Sequence, residues 1–228
     1  MALWMLAACF SESADSAGPG RDDDRNNGRD TDDSGGDHDT GVEPEPLPTA
    51  QELLAALRAD GEAALLEIAN SRGWPAETSE GLLFVYEASG AWSVAGDFDA
   101  WAGQAMRCED GLCWLVADAS SGGYKFTNGD DWLPDPWARR YTYDEFGELS
   151  LVATSDAHLE RLFAVSDEAN EPRTVRILVP AEPVTHVLYA EDGQNLFDPD
   201  AMWGGWRLQD SAPAGLLLVG IDNTPARF

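Results

Sequence analysis

Two cysteines separated by four residues could form a covalent link. Cys108 and Cys113 lie in the segment RCEDGLCW, around Asp110-Gly111. This dipeptide is typical of two-residue β-hairpin turns, so the cysteines should face each other at a non-hydrogen-bonded position of two paired strands. Their Cα atoms would then be close enough for a disulfide bond. Two reduced thiols in a cytosolic hairpin are the alternative, and a metal site is disfavoured because no further ligands cluster nearby.

A second stretch whose residues could take part in chemistry is YAEDGQNLFDPDAMWGGW, residues 189–206. An Asp-Gly pair here follows an apolar strand pattern, and Gly193 would let the backbone approach a bound molecule closely. By composition alone the stretch fits an ordinary turn between a strand and a helix.

The elements that must position these residues fall into three parts. Residues 49–80 form a helical segment, in which Thr49 and Glu52 make a capping box. The buried stripe of these helices comprises Leu53, Leu54, Leu57, Leu65, Leu66 and Ile68. Residues 81–152 hold short strands rich in aromatic and β-branched side chains, which predict a small antiparallel sandwich.

Residues 153–228 hold longer and more apolar strands. The pattern predicts a hairpin over 158–165 and 173–179, a strand at 186–190, a helix around 200–210 and a strand at 215–221. Such strands, separated by a helix, favour a mostly parallel sheet covered on both faces.

Three separated motifs in 81–152 match a known module: GDFDAW (96–101), GYKF (123–126), and Trp132 followed by Asp135-Pro136. They resemble the glycogen- and starch-binding modules with an early-set immunoglobulin-like fold. The resemblance implies carbohydrate binding by Trp101, Lys125 and Trp132, because indole faces stack on the apolar faces of sugar rings. The segment FGELSLV (146–152) departs from the pattern, since it does not clearly supply the polar residue that these modules use. Core packing of the aromatic side chains is the alternative.

Motifs in the last part match an esterase family: VLY (187–189), DGQNLFD (192–198), Trp206 and VGIDN (219–223). They resemble the family of the α/β-hydrolase fold that includes enterochelin, feruloyl and acetyl-xylan esterases. In that fold one backbone N–H of this loop forms half of the oxyanion hole, which makes Gly193 and Gln194 the candidate donors. The resemblance favours this role over an ordinary turn.

The catalytic triad of a serine esterase is not found in the sequence. The fold implies a serine in a G-x-S-x-G turn after its fifth strand, followed by an acid and a histidine. From residue 150 onward the serines are Ser150, Ser155, Ser166 and Ser211, and none has that context. The histidines are His38, His158 and His186. We therefore expect the chain to be the first part of a longer esterase and to be inactive alone.

The N-terminus and the overall charge indicate the compartment and the partners. Leu6-Ala7-Ala8-Cys9 resembles a bacterial lipobox with Cys9 as the lipidated residue, although no basic residue precedes this short apolar run; an accidental apolar terminus is the alternative. Residues 1–9 would be a signal remnant, and the acidic segment 10–48 a flexible linker. The net charge of −28 argues against nucleic acid as a partner.

Together these features predict two domains: an all-β immunoglobulin-like sandwich followed by an incomplete α/β-hydrolase with a parallel or mixed sheet and helices. The expected function is the N-terminal part of an exported serine esterase with a glycan-binding-type module. The expected partners are an ester substrate and a polysaccharide, with membrane contact only through the lipid anchor, and no cofactor or metal is expected. The location would be the bacterial cell envelope, the periplasm or the medium. The alternatives are a non-catalytic glycan-binding surface lipoprotein with a hydrolase remnant, and a purely structural surface protein.

Overall fold

Two short helices open the described part of the chain, which in this computed structural model comprises residues 45–166 and 171–224, except for the Trp203 side chain. The predictions for Cys9 and for nearly all of the linker 10–48 lie outside the described residues. The described residues belong to one compact unit. The helices are Ala50–Asp60 (α1) and Glu62–Ser71 (α2).

The capping box that begins α1 is present as predicted. The Thr49 hydroxyl accepts a hydrogen bond from the Glu52 backbone N–H at 3.2 Å, and the Glu52 carboxylate accepts one from the Thr49 N–H at 2.7 Å. The predicted stripe is buried at Leu53, Leu54, Leu57, Leu65 and Ile68, whereas Leu66 is half-buried. Within the described residues, no helix has both the length and the apolar character needed to cross a membrane.

Fourteen described strands follow the helices. They are β1 (Ala76–Thr78), β2 (Gly81–Glu87), β3 (Ser93–Gly96), β4 (Gln104–Ala105), β5 (Arg107–Glu109), β6 (Leu112–Ala117), β7 (Gly123–Thr127), β8 (Trp132–Leu133), β9 (Arg140–Asp144), β10 (Gly147–Leu151), β11 (His158–Val165), β12 (Arg173–Val179), β13 (His186–Glu191) and β14 (Leu216–Ile221). The described chain is therefore mostly β-sheet with few helices.

The strands form two sheets that pack face to face. One sheet has the order β1-β2-β6-β5, and the other has ten strands in the order β13-β14-β12-β11-β9-β10-β7-β3-β4, with β8 added beside β7. Strand β2 shows why the layers stack as they do, because alternate side chains point to opposite faces. Leu83 and Val85 pack against α1 and α2, while Phe84 packs against Tyr124 of the larger sheet, with ring centroids 5.0 Å apart.

The larger sheet continues from the sandwich strands into the C-terminal strands. Strands β9 and β11 pair at Leu159 with Tyr141 and at Glu160 with Arg140, on either side of the boundary predicted at residues 152–153. The division into an immunoglobulin-like domain and a hydrolase domain remains a prediction.

The C-terminal strands are mixed in direction, which is one of the two arrangements expected for this part, although the strand pattern favoured a mostly parallel sheet. Strands β11 and β12 form the predicted hairpin, and β14 pairs antiparallel with β12. The pair β13–β14 is the only parallel pair of strands in the described chain. A short connection such as the one between β11 and β12 permits antiparallel pairing, whereas parallel neighbours need a long crossover.

The expected helix around residues 200–210 is absent from this described segment. Two 3₁₀ turns, Met202–Gly204 and Leu208–Asp210, stand in its place. Gly204, which ends the first turn, and Gly205, which follows it, have positive φ values of 83° and 62°, which an α-helix cannot contain. The sheet is covered instead by Leu196 and Phe197, which precede these turns and are buried against Leu159 and Leu218. Met202 and Trp206 of the turns are exposed.

The predicted disulfide is present in the hairpin of β5 and β6. Cys108 pairs in register with Cys113, and their sulfurs are bonded. Asp110 and Gly111 both have positive φ, 53° and 83°, as a type I′ turn requires. The hairpin geometry inferred from the sequence is therefore confirmed.

We expect a non-reduced tryptic digest of protein made in an oxidising compartment to contain the peptide of residues 108–125 with an internal Cys108–Cys113 bond, lighter by two hydrogen atoms than its reduced form. Mass spectrometry before and after reduction would measure it, with a Cys113→Ser variant as the control that cannot form the link. Two freely alkylated thiols in the unreduced protein would contradict the assignment.

Candidate functional site

An aromatic groove lies on the exposed surface of the larger sheet. Trp101 and Trp132 are its largest side chains, and they remain 36% and 46% exposed in the folded chain. Their ring centroids are 6.2 Å apart and the planes are inclined by 48°. The groove has a volume of about 670 Å³ and is lined by Asp97, Trp101, Lys125, Trp132, Asp144, Phe146 and Leu149. The structure thus brings together the three residues that the sequence assigned to carbohydrate binding.

A tight turn holds the Trp101 indole in position. The Trp101 Nε1–H donates to Asp97 Oδ1 at 2.9 Å, and the other oxygen of Asp97 accepts from the Gly123 N–H at 2.6 Å. Ala100 and Trp101 both have left-handed backbone conformations, with φ of 54° and 63°. Non-glycine residues adopt this region at a cost, and such strain is concentrated at functional sites. The fold therefore keeps an exposed indole in one fixed orientation.

Lys125 and Phe146 complete the groove between the two indoles and the β9–β10 turn. The Lys125 side chain is 5% exposed, and its ammonium donates to the Phe146 carbonyl at 3.1 Å. An ammonium has three N–H donors, so donors remain for a bound hydroxyl group. The Phe146 side chain is 78% exposed, which is unusual for an aromatic ring without a role at the surface.

Sequence reasoning missed Phe146 and Asp97 as site residues. The sequence signal at Phe146 was an apolar residue inside the polar segment DEFGE. In the structure this segment is a turn, in which Gly147 has a φ of 90°. Asp97 stood in a motif already noted, but its contact with the indole of Trp101 depends on a turn whose geometry the sequence did not reveal.

A buried polar network supports the groove from behind. Asp135 is fully buried three residues after Trp132, and its carboxylate accepts hydrogen bonds from the Tyr124 hydroxyl at 2.7 Å and the Trp137 N–H at 2.8 Å. The Asp135 N–H donates to Ser150 Oγ at 2.8 Å. Burial raises the pKa of Asp135 to about 6, against the opposing hydrogen bonds and the charge of Arg161.

This raised pKa predicts a pH-dependent stability. The unfolded side chain has a pKa of about 3.9, so the folded protein binds the proton more tightly. The contribution of Asp135 is therefore fully present below about pH 4 and is lost as the pH rises through about 6. We expect the free energy of unfolding of the wild type, relative to Asp135→Asn, to fall by roughly 2–3 kcal/mol between pH 4 and 7.

Urea unfolding at a series of pH values would measure this difference, and other titrating groups such as His158 cancel in the comparison. Asp130→Asn changes an exposed residue of the neighbouring turn and is the matched control, with no such trend expected. Parallel pH profiles for the wild type and Asp135→Asn would count against a raised pKa.

The turn after β13 packs against the two residues that follow β14, Asp222 and Asn223. A 3₁₀ turn begins at Gly193, where a side chain would come within 2.7 Å of the Asp222 carboxylate, so only glycine fits. Asp222 is paired with Arg176 at 3.0 Å, and the Asn223 N–H donates to the Gln194 side-chain oxygen at 3.0 Å. The N–H groups of Gly193 and Gln194 donate to no acceptor in the described residues. Two backbone donors thus stand at one rigid turn.

The described histidines form hydrogen bonds with residues other than serine. His158 is buried, with one ring nitrogen 2.8 Å from the Asp156 carbonyl and the other 3.5 Å from the Glu160 carboxylate. The hydrogen bond with Glu160 raises the pKa of His158. His186 is exposed on the edge strand β13, with its Nδ1 2.9 Å from the Thr185 hydroxyl. No Ser-His pair is hydrogen-bonded within residues 45–166 and 171–224. His38 lies outside the described residues.

Comparison with known proteins gives only a distant likeness. No protein-family model matches the chain, and no curated protein matches it. Among solved structures, the chain is similar to the ferric enterobactin esterase of Salmonella typhimurium, at 14% identity and a TM-score of 0.26, covering 62% of this chain and 53% of that one. The enterobactin esterase of Shigella flexneri, crystallised in the presence of enterobactin, gives 15% identity and a TM-score of 0.27, with 64% and 53% covered. The chain spans about half the length of these esterases, and its function is inferred from its own geometry.

Proposed function

We propose that the protein binds an α-glucan such as glycogen or starch in the groove formed by Trp101, Trp132, Lys125, Asp97 and Phe146. The observation that supports this most directly is the pair of exposed indoles, 6.2 Å apart and inclined by 48°. Two inclined flat rings offer successive stacking faces to a curved chain of sugar rings, whose C–H faces are apolar.

The polar groups of the groove suit the hydroxyl groups of such a ligand. The Lys125 ammonium can donate, and Asp97 and Asp144 carry carboxylate acceptors. The volume of the groove also suits a sugar, because about 670 Å³ is within the range of small-molecule sites.

Native gel electrophoresis with and without soluble glycogen tests this function. We expect the protein to migrate more slowly in the glycogen gel, relative to a protein without carbohydrate affinity. Equal relative mobility in both gels, together with no heat of binding for maltoheptaose in calorimetry, would rule glucan binding out.

A second function has its own support at the other end of the sheet. We propose that the turn at Gly193 and Gln194 supplies oxyanion-hole donors for the hydrolysis of an ester. The support is a rigid turn with two N–H groups that have no described acceptor. Preorganised donors of this kind stabilise the negative charge that develops on an ester carbonyl oxygen.

Oxyanion donors need a nucleophile to serve, and this sequence has no serine in a G-x-S-x-G turn. We expect residues 1–228 alone to hydrolyse p-nitrophenyl acetate no faster than the same protein after heat denaturation. Hydrolysis well above that control would show that the chain carries a nucleophile of its own.

A further inference from the structure

A second cavity adjoins the aromatic groove and lies on the other side of the β9–β10 turn. Its volume is about 620 Å³, and its wall includes Asp144, which also lines the groove. Asp144 is exposed, and its carboxylate accepts a hydrogen bond from the Phe146 N–H at 2.7 Å, which fixes the turn that separates the two spaces. A ligand that leaves the groove past Phe146 therefore meets this cavity next.

The cavity has an apolar floor and a polar rim, and its lining is more polar than that of the groove. Leu159 and Leu178 of the floor are 2% and 4% exposed. Thr142, Glu145 and Asp210 belong to the rim, and Asp210 is paired with Arg207 at 2.7 Å. Apolar contact combined with hydroxyl-binding groups is the combination that a sugar ring needs.

Gln209 contributes to the structure of the cavity wall. Gln209 lines the cavity, and its side-chain N–H donates to the Phe197 carbonyl at 2.8 Å. The Oε1 atom of the same side chain is buried and has no hydrogen-bond partner among the described residues. That atom has almost no accessible surface, so a ligand in the cavity does not reach it, and the groups that a ligand can contact are those of the floor and the rim. The carboxylates of the rim disfavour an anionic ligand.

We infer that this cavity is a second, uncharged-sugar subsite, so that a glucan seated on Trp101 and Trp132 continues past the Asp144–Gly147 turn. This inference rests on the proposed glucan binding and adds to it a minimum ligand length. Short oligosaccharides occupy only the tryptophan groove, and longer ones occupy the groove and the cavity. The affinity of the protein must therefore rise when the oligosaccharide becomes long enough to span both.

Isothermal titration calorimetry with maltotriose and maltoheptaose tests the inference. We expect the wild type to bind maltoheptaose at least ~10-fold more tightly than maltotriose, because the longer ligand adds contacts in the cavity. The double variant Glu145→Ala/Asp210→Ala removes two exposed rim residues and should lose most of that gain, with the affinity for maltotriose unchanged. Glu77→Ala/Glu87→Ala, two exposed acids of the other sheet, is the matched control and should keep the gain.

The outcomes separate this inference from the function on which it rests. Equal affinities for the two oligosaccharides, or a gain that survives in Glu145→Ala/Asp210→Ala, would overturn the second subsite and leave glucan binding intact. Failure of the wild type to bind either oligosaccharide would overturn both.

Discussion

Replacing Trp101 with alanine is expected to abolish the retardation of the protein by glycogen. Aromatic side chains at the centre of a binding surface commonly contribute 2 kcal/mol or more, and a loss of ~2 kcal/mol weakens binding about 30-fold. Trp132→Ala should have a similar effect, since the two indoles offer adjacent stacking faces to the same ligand. We expect Phe146→Ala to weaken binding less, because its ring lies at the end of the groove beside the β9–β10 turn.

The backbone at position 101 makes this experiment a clean one. Trp101 has a φ of 63°, and alanine carries the same Cβ as tryptophan, so the substitution leaves the backbone strain unchanged. It removes the indole and its hydrogen bond to Asp97, both of which belong to the proposed site. Unchanged circular dichroism would show that the variant remains folded.

Trp206→Ala is the matched control for the binding experiment. Trp206 is 71% exposed, yet it does not line the aromatic groove. Its removal should leave the retardation by glycogen unchanged. Full retention of glycogen binding by both Trp101→Ala and Trp132→Ala would contradict the proposed stacking.

Local signals in the sequence predicted the elements that local chemistry controls. The capping box at Thr49 and the type I′ turn at Asp110-Gly111 each depend on a few neighbouring residues, and both form as expected. The proximity of Trp101, Lys125 and Trp132 came from a resemblance to a known module, since no local rule places residues 31 positions apart side by side.

The errors concern features that depend on distant parts of the chain. The apolar pattern of residues 215–221 predicted a strand but not its position in the sheet, where β14 lies between β12 and β13 and is paired on both sides. The exposed edge belongs to β13, where Val187, Leu188 and Tyr189 are 50%, 48% and 71% exposed. An apolar run indicates a strand but not its neighbours, because strand order is decided by crossover connections. Phe146 escaped notice for a similar reason, since its exposure depends on the groove around it.

Replacing Arg161 with alanine is expected to destabilise the fold strongly. The guanidinium is buried, with the residue 7% exposed, and it donates to the Asp135 and Ala138 carbonyls at 3.0 and 2.8 Å. It also forms a two-pronged pair with the Glu148 carboxylate, at 2.8 and 3.2 Å. Removal leaves a half-buried carboxylate and two carbonyl groups without their partner. Breaking a buried pair of this kind costs about 3–5 kcal/mol.

Arg107→Ala is the matched control for this prediction. Arg107 also pairs with a glutamate, Glu109, and its guanidinium lies over a Trp114 ring, but both side chains of the ion pair are exposed, at 67% and 47%. An exposed pair contributes at most ~1 kcal/mol, because water screens the charges and solvates each partner after the other is removed. The two variants therefore remove the same chemical groups from opposite environments.

Urea unfolding of the Arg161→Ala, Arg107→Ala and Arg161→Leu/Glu148→Leu proteins would test the role of burial. If the cost comes from an uncompensated carboxylate, the double leucine variant should be more stable than Arg161→Ala, since it removes both charges and restores apolar contact with the rings of Tyr141 and Phe163, which lie 4.5 and 5.6 Å from the Arg161 guanidinium. A loss below about 1 kcal/mol for Arg161→Ala would mean that water replaces the guanidinium at Glu148 and that the network is not buried in solution.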